Sequence, residues 1–402
     1  MASLDELRQI IRRIESRERA RPAAEPIERV VGGELVDTGA GTLLRVRHHY
    51  SIGHSHGHQR LEDACAASPD VLRLLARPGD EPAAAEQMLF IDVETTGLAG
   101  GTGTYAFLVG VGAFDGQRFS VTQYFMRDLD EEPALLAALA PQLEAASFLV
   151  TFNGSGFDLP LLETRFILSR RRWRADLPHV DLLRPARRVW TWAFPDCRLS
   201  TLEREALGLA REDDIPGAMI PALYFQYLRT KNARALGRIF AHNRDDVVAL
   251  AALLGWFARA LADDPSRPLS AHERLGLGRL LEPADPDRSL AHYRQALAEG
   301  LTGLAALAAC LRAAAWEKRR ERWDTACEFW RTAVAVGVFD PRPWEELAKF
   351  HEHRARELTV ARELVADALA RARATGAHAR VLDAFRYRLA RLERRLARPL
   401  VP

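Results

Sequence analysis

Between residues 86 and 151 the chain places three strand-type runs in succession before any helical pattern begins, and this order constrains the fold more than any other feature. "MLFIDVETTGL", "TYAFLVGVGAF" and "FSVTQYFM" are rich in β-branched and aromatic residues and are separated by Gly-rich or "DGQ" turns. "EPALLAALAPQLEAA" then reads as a helix, "SFLVTFNG" as a strand and "DLPLLETRFILSRR" as a helix. Three consecutive strands followed by alternation predict an α/β domain with a mixed sheet, not a uniformly doubly wound one. "LSTLEREALGL" and the long amphipathic "ARALGRIFAHNRDDVVALAALLGWFARAL" continue as helices.

The first run carries two acids where a core strand is being built. Side chains at i and i+2 of a strand leave on one face, so Asp92 and Glu94 stand side by side, with Ile91 and Val93 opposite. Adjacent carboxylates repel, and burying them unpaired is costly. Residues 80–116 contain no Lys or Arg, so the compensating charge comes from elsewhere. A divalent metal is the economical answer, and it needs further ligands. "FLVTFNGSGFDLPLL" (148–162) opens a helix with Asp158 just before Pro160, a position that by itself favours a helix cap. "FAHNRDDVVALAALL" (240–254) sets His242 and Asp246 four apart on one helix face, which alone reads as a surface or capped pair. Together, Asp92, Glu94, Asp158 and Asp246 make a different case. Four acids can hold two divalent ions about 3.5–4 Å apart for in-line attack on a phosphodiester. Carboxylate oxygens suit Mg²⁺ or Mn²⁺. His242 is the candidate general base, and Asp245, about a quarter-turn away, is the alternative to Asp246.

"FIDVETTG", "NGSGFD" and "HNRDDV" resemble the three motifs of the DEDD 3′→5′ exonuclease superfamily, whose fold is ribonuclease H-like. The segment "CRLSTLEREALGLAREDDIPGAMIPALYFQYLRT" (197–230) is similar to the one that the bacterial YprB-type (MrfB-like) branch places between its second and third motifs. The resemblance covers roughly residues 30–262 well and the remainder loosely, and a tetratricopeptide-like C-terminus is typical of that branch. It implies metal-dependent exonuclease activity on DNA, a link to DNA repair and a helicase as protein partner. RNA-directed or structure-specific cleavage on the same fold is the alternative. Within the motifs it assigns Thr95, Asn153 and Phe157 to nucleic-acid contact. One departure stands out: the His branch of the superfamily sets its base five residues before the last Asp, whereas His242 sits at the four-residue step of the Tyr branch.

A chain of 402 residues suggests two or three domains. Residues 1–25 read as an N-terminal helix, with Leu4, Leu7, Ile11 and Ile14 on one face, and a linker. Residues 26–85 form an extension with a few irregular strands, 86–262 the exonuclease domain and 270–398 an all-helical domain, joined by "ADDPSRPLS". In the last part Ala296, Ala333 and Ala368 recur at steps of 37 and 35 residues in similar contexts, the period of a tetratricopeptide-like array that could dock a protein partner. An adaptor with a vestigial nuclease fold is the rival reading, but a vestigial site has no reason to keep repelling carboxylates.

A net charge of only +2 excludes a basic coat, so any polyanion site must be a local patch. "SRRRWR" and "RPARRVW" are such patches, each with a Trp. Arg171, Arg172, Arg187 and Arg188 are candidate phosphate contacts, weighed evenly against a solvated face. His48, His49, His54, His56 and His58 cluster without nearby Cys or acids and read as a polar loop near the site in preference to a metal centre. "GLAGGTGTYAF" lacks dinucleotide-loop spacing, and Walker A and nucleophile-elbow motifs are absent. Four scattered cysteines, and an N-terminus without a signal or spanning segment, predict a cytoplasmic protein without membrane partners.

Overall fold

A computed structural model describes residues 25–82, 87–97, 102–262 and 268–397. The amphipathic stretch read over Leu4–Ile14 lies outside the described residues. The chain divides into two compact units: one runs to Pro185 and includes Cys197–Arg267, and the other joins Ala186–Asp196 to the chain from Pro268 onward.

The first unit is built on a seven-stranded mixed sheet flanked by helices. After a short helix α1 (Ile27–Val31) come β1 (Glu34–Asp37), β2 (Thr42–Ser51) and a small separate hairpin, β3 (Ser55–His56) with β4 (Gln59–Arg60). Helix α2 (Pro69–Leu75) leads to β5 (Met88–Thr95), β6 (Ala106–Phe114) and β7 (Arg118–Phe125), the three runs read from the sequence. Then follow α3 (Glu132–Ala145), β8 (Phe148–Thr151), α4 (Asp158–Leu168), β9 (His179–Asp181) and α5 (Leu183–Trp190), whose residues from Ala186 onward belong to the second unit. The first unit closes with α6 (Leu199–Leu202), α7 (Ile220–Thr230) and α8 (Leu236–Leu261). Strand order is β1-β2-β7-β6-β5-β8-β9; β8 runs parallel to both β5 and β9, and the other pairs are antiparallel. Strands β1 and β2, from the stretch before residue 86, extend this same sheet through the pairing of β2 with β7.

The two faces of the central strands are covered differently. Ile91 and Val93, paired with Val111 and Val109, join a core that includes Leu135, Leu139, Leu162 and Tyr224. Phe107 stacks on Tyr224 with ring centroids 3.8 Å apart. The face of Asp92 and Glu94 receives α8, and two glycines permit the approach. Gly110 lies opposite Asp92 and Gly112 opposite Phe90. A Cβ on Gly110 would sit 2.4 Å from Asn243 Oδ1, and one on Gly112 would sit 2.7 Å from Val247 Cγ1. Both glycines are therefore required for the helix to lie against the strand.

The second unit is helical: α9 (Ala271–Leu281), α10 (Pro286–Ala298), α11 (Gly303–Arg319), α12 (Trp323–Ala335), α13 (Pro341–His353), α14 (Leu358–Ala374) and α15 (Ala379–Leu396). Packing is strongest between α9 and α10, α11 and α12, and α14 with each of its neighbours. Ala296, Ala333 and Ala368 fall on α10, α12 and α14 and are fully buried, as close helix approach requires. Among the described residues no helix is long and apolar enough to cross a membrane.

The seating of α8 yields a first test. Gly110→Val should force α8 away from β6 and destabilise the protein by about 1–3 kcal/mol, the usual range for overpacking. Urea unfolding of the variant measures this, and an unchanged midpoint would show that the contact is not tight.

Candidate active site

Strand β5 delivers Asp92 and Glu94 beneath the start of α8, and α8 answers with His242, Asn243 and Asp246. Asn243 is fully buried and is locked from two sides. Its Nδ2 donates to Asp92 Oδ2 at 2.8 Å and to the Asp92 carbonyl at 3.1 Å. Gln123 on β7 donates to Asn243 Oδ1 at 2.8 Å and to the Phe240 carbonyl at 2.8 Å. The strand and the helix are thus pinned together at the residue that carries the first acid.

The third motif acid enters on α4. Phe157 is the N-cap residue and makes no side-chain capping bond, while Asp158 is the first helical residue and is only 7% exposed. Asp158 is therefore not placed as the cap that its position alone suggested. Two contacts fix its approach. Arg165, further along α4, forms a buried bidentate pair with Glu132 of α3 (Nη2–Oε2, 2.6 Å). The loop before α4 is folded around Asp181, whose carboxylate accepts from the backbone N–H groups of Asn153 (2.7 Å), Ser155 (3.1 Å) and Leu183 (3.2 Å). Asn153 itself has φ of +65°, a left-handed conformation that Asn tolerates better than most residues.

Between these elements lies His242. Its Nε2 is 3.7 Å from Asp246 Oδ2 and 4.0 Å from Glu94 Oε1, and its Nδ1 is 2.7 Å from Asp214 Oδ1. Asp246 also forms an ion pair with Arg211 at 2.6 Å, and Arg211 pairs at 2.7 Å with the fully buried Glu203. Glu203 in turn meets His56 Nε2 at 2.8 Å. A continuous chain, His56–Glu203–Arg211–Asp246, buried at its first two members and half-buried at the last two, therefore runs from the β3–β4 hairpin to the site. His56 thereby supports the site, whereas His49 bonds Ser120 on the neighbouring strand.

The electrostatics follow from burial and crowding. Burial, then Asp246 and Asp158, push the Asp92 carboxyl well above its usual range. Burial, then Asp92, Asp246 and Asp158, do the same for Glu94. Asp158 is pushed up to about 7 by burial and by Asp181 and Asp246. Asp246 is raised by burial, with Arg211 and His242 opposing. For His242, burial works against the charged ring, but Asp246 and the bond to Asp214 prevail and raise it. These interactions show that the four acids sense one another across three separate elements. Among the described residues no group of three or more His, Cys, Asp and Glu side chains stands as a formed ion cage. Arg211 holds Asp246 and Asn243 holds Asp92 instead. The donor chemistry nevertheless fits hard divalent ions, because crowded, partly buried and mutually repelled oxygen ligands are what such a cation stabilises.

The remaining candidates are dispersed. Thr95 follows a bulge in β5 and donates to the Gly97 carbonyl at 2.8 Å, so its hydroxyl serves the turn. Phe157 is half-buried beside Asp158. Arg171 and Arg172 lie past the far end of the 11-residue α4, on the order of 16 Å along the helix from Asp158. In the same stretch Arg174 bonds the carbonyls of Glu144 and Ala146 at 3.0 Å, a structural duty. Arg187 and Arg188 are exposed and belong to the second compact unit. Asp245 pairs with its neighbour Arg244 at 2.7 Å, whereas Asp246 faces His242 and Arg211.

Sequence reasoning missed Arg211, Asp214, Asn243 and Asp181. The first two sit in "REDDIPG" (211–217), within the segment 197–230 that carries the family resemblance. Its signal was present, since an Arg beside a cluster of acids is the charge that the motif acids lack.

Residues 89–258 match the family model RNase_H_2 of the RNase_H superfamily. The chain is 30% identical over 304 residues to "Uncharacterized protein YprB" of Bacillus subtilis (strain 168), an alignment that covers 70% of each protein.

The raised carboxyls carry a pH signature. Asp158 titrates near 7 in the folded chain against 3.8 ordinarily, so the folded state holds this proton more tightly than the unfolded state. Its contribution to stability is complete below the ordinary value and is lost as pH rises through about 7. In chelator, Asp158→Asn should therefore melt above the wild type at pH 8 and close to it at pH 5. Equal melting differences at both pH values would contradict the assignment.

Proposed function

Because this chain belongs to the ribonuclease H superfamily and to the family of the Bacillus YprB protein, we propose that it is a metal-dependent 3′→5′ exonuclease acting on DNA in repair. The observation that carries the proposal is the convergence of Asp92, Glu94, Asp158 and Asp246 from three elements around His242. The helical second unit, with buried Ala296, Ala333 and Ala368 on alternate helices, supports a tetratricopeptide-like array and a protein partner such as a helicase.

The residues suggest a division of labour. Asp92, Glu94, Asp158 and Asp246 would hold two Mg²⁺ or Mn²⁺ ions, and Arg211 would be the residue that Asp246 exchanges on loading. When bound, such ions activate water and offset the charge that builds on the phosphodiester. His242 handles the proton. Asp214 engages Nδ1, which places the N–H on that nitrogen and leaves the Nε2 lone pair facing Glu94 and Asp246. Nε2 is then the atom that takes the proton of the attacking water, and Asp214 stabilises the imidazolium that results. Asp214 is a positioning residue in this scheme. The four-residue step from His242 to Asp246 is compatible with it, because both side chains share one helix face.

End-labelled DNA incubated with Mn²⁺ or with chelator tests the proposal. Shortening from the 3′ end should require the ion, stop at a blocked 3′ end, and fall by several orders of magnitude on changing any of the four acids to Ala. His242→Ala should keep metal and DNA binding but cut about 10²–10⁴ more slowly, recovering as hydroxide rises at high pH. His242→Tyr should retain more activity than His242→Ala. Cutting at internal positions of 3′-blocked DNA would identify an endonuclease, and unchanged cutting in chelator would remove the metal site.

A further inference from the structure

The second unit contains a cavity of about 460 Å³ lined by Arg188, Arg279, Glu282, Pro283, Arg312 and Trp316. Its walls are tightly built. Helix α9 brings Arg279 in its last turn, and α11 brings Arg312 and Trp316, four residues apart on one face. The segment that carries Arg188 is pressed onto α9: a Cβ on Gly276 would sit 2.1 Å from the Val189 carbonyl oxygen. Trp190 Nε1, on the same segment, donates to Glu273 Oε1 at 3.4 Å. Arg188 is thus an exposed arginine held on a fixed backbone.

Three guanidinium groups face one carboxylate, which leaves a surplus of two positive charges. Glu282 is already engaged at both oxygens, accepting from Tyr293 at 2.7 Å and from Arg312 at 2.6 Å. Arg279 Nη1 is buried and has no hydrogen-bond partner. Burial, then Arg312 and Arg188, push the Arg279 guanidinium below its usual range. A buried charged donor without an acceptor is destabilising, so the cavity is suited to an anion. The planar fork of arginine matches the paired oxygens of a phosphate. Trp316 adds a half-exposed indole wall, with the Arg319 guanidinium over its ring at 4.9 Å.

We propose that this cavity binds a backbone phosphate of a single-stranded nucleic acid, so that the helical unit itself holds substrate. The choice of nucleic acid among phosphate carriers rests on the nuclease reading above; the anion site rests on the cavity alone. Trp316 fits that choice, since aromatic walls beside a basic groove stack bases without regard to sequence.

The test uses the full chain in chelator, where binding is read without cutting. Fluorescence anisotropy of a labelled single-stranded DNA is followed over a KCl titration. Arg279→Gln and Arg188→Gln should each weaken binding and reduce the slope of log K against log[KCl] by about one. Arg188 is exposed, so its variant reports on the cavity without disturbing the core. Glu282→Gln, which removes the opposing charge and keeps an acceptor for Tyr293, should tighten binding. Unchanged affinity and slope in both arginine variants would overturn the proposal. So would arginine-dependent binding of a phosphoserine peptide, or of inorganic phosphate, by a chain that does not bind DNA. A failure to cut DNA with Mn²⁺ bears on the acid site and leaves these binding outcomes as they stand.

Discussion

The ribonuclease H-like unit depends on the contact between α8 and the middle of the sheet. Asn243 binds both the side chain and the backbone of Asp92, and it can do so only because Gly110 leaves no Cβ beneath it. That contact sets the height and rotation of α8. Once they are set, His242 and Asp246 project over Asp92 and Glu94, since residues three or four apart share a helix face. Gln123 braces the arrangement from the next strand. The geometry of the candidate site is therefore a consequence of backbone proximity, and a side chain added at one glycine would change it.

The same packing creates an electrostatic problem that the rest of the unit is arranged to contain. Acids on different elements are brought close together, and Asp246 and Asp158 add to burial in raising the proton affinity of Asp92 and Glu94. Arg211 offsets part of this at Asp246, and it is itself held by the buried Glu203, which His56 engages. Truncating one partner in such a chain leaves an uncompensated buried charge, which costs about 3–5 kcal/mol. The hairpin of the histidine cluster is thereby tied to the stability of the site, although none of its members needs to touch substrate.

Much of this was legible in the chain. The runs read as strands became β5, β6, β7 and β8, and the acids at 92 and 94 fall on one face because the strand period is two. The helix carrying His242 and Asp246 was plain from its amphipathic length. Other features were not legible, for physical reasons. Asp181 holds the "NGSGFD" turn through backbone N–H groups, and a three-residue strand such as β9 leaves almost no periodicity to read. Asp214 and Arg211 act at the site from 28 and 35 residues before their partners His242 and Asp246, so their roles appear only when the chain closes. Arg174 looked like its neighbours but serves backbone carbonyls, because composition does not show which arginine of a run meets a helix end. The pairing of β2 with β7 likewise joins residues some 70 apart that carry no shared motif.

The central claim is that Asp92, Glu94, Asp158 and Asp246 form one ion-binding site that displaces Arg211 from Asp246. Anomalous diffraction from crystals soaked in Mn²⁺ tests it most directly. Manganese peaks coordinated by these four carboxylates are expected, with the Arg211–Asp246 pair opened and the His242–Asp214 bond retained. Manganese bound at the His48–His58 strand and hairpin instead, or no peak at the acids while Arg211 stays on Asp246, would contradict it.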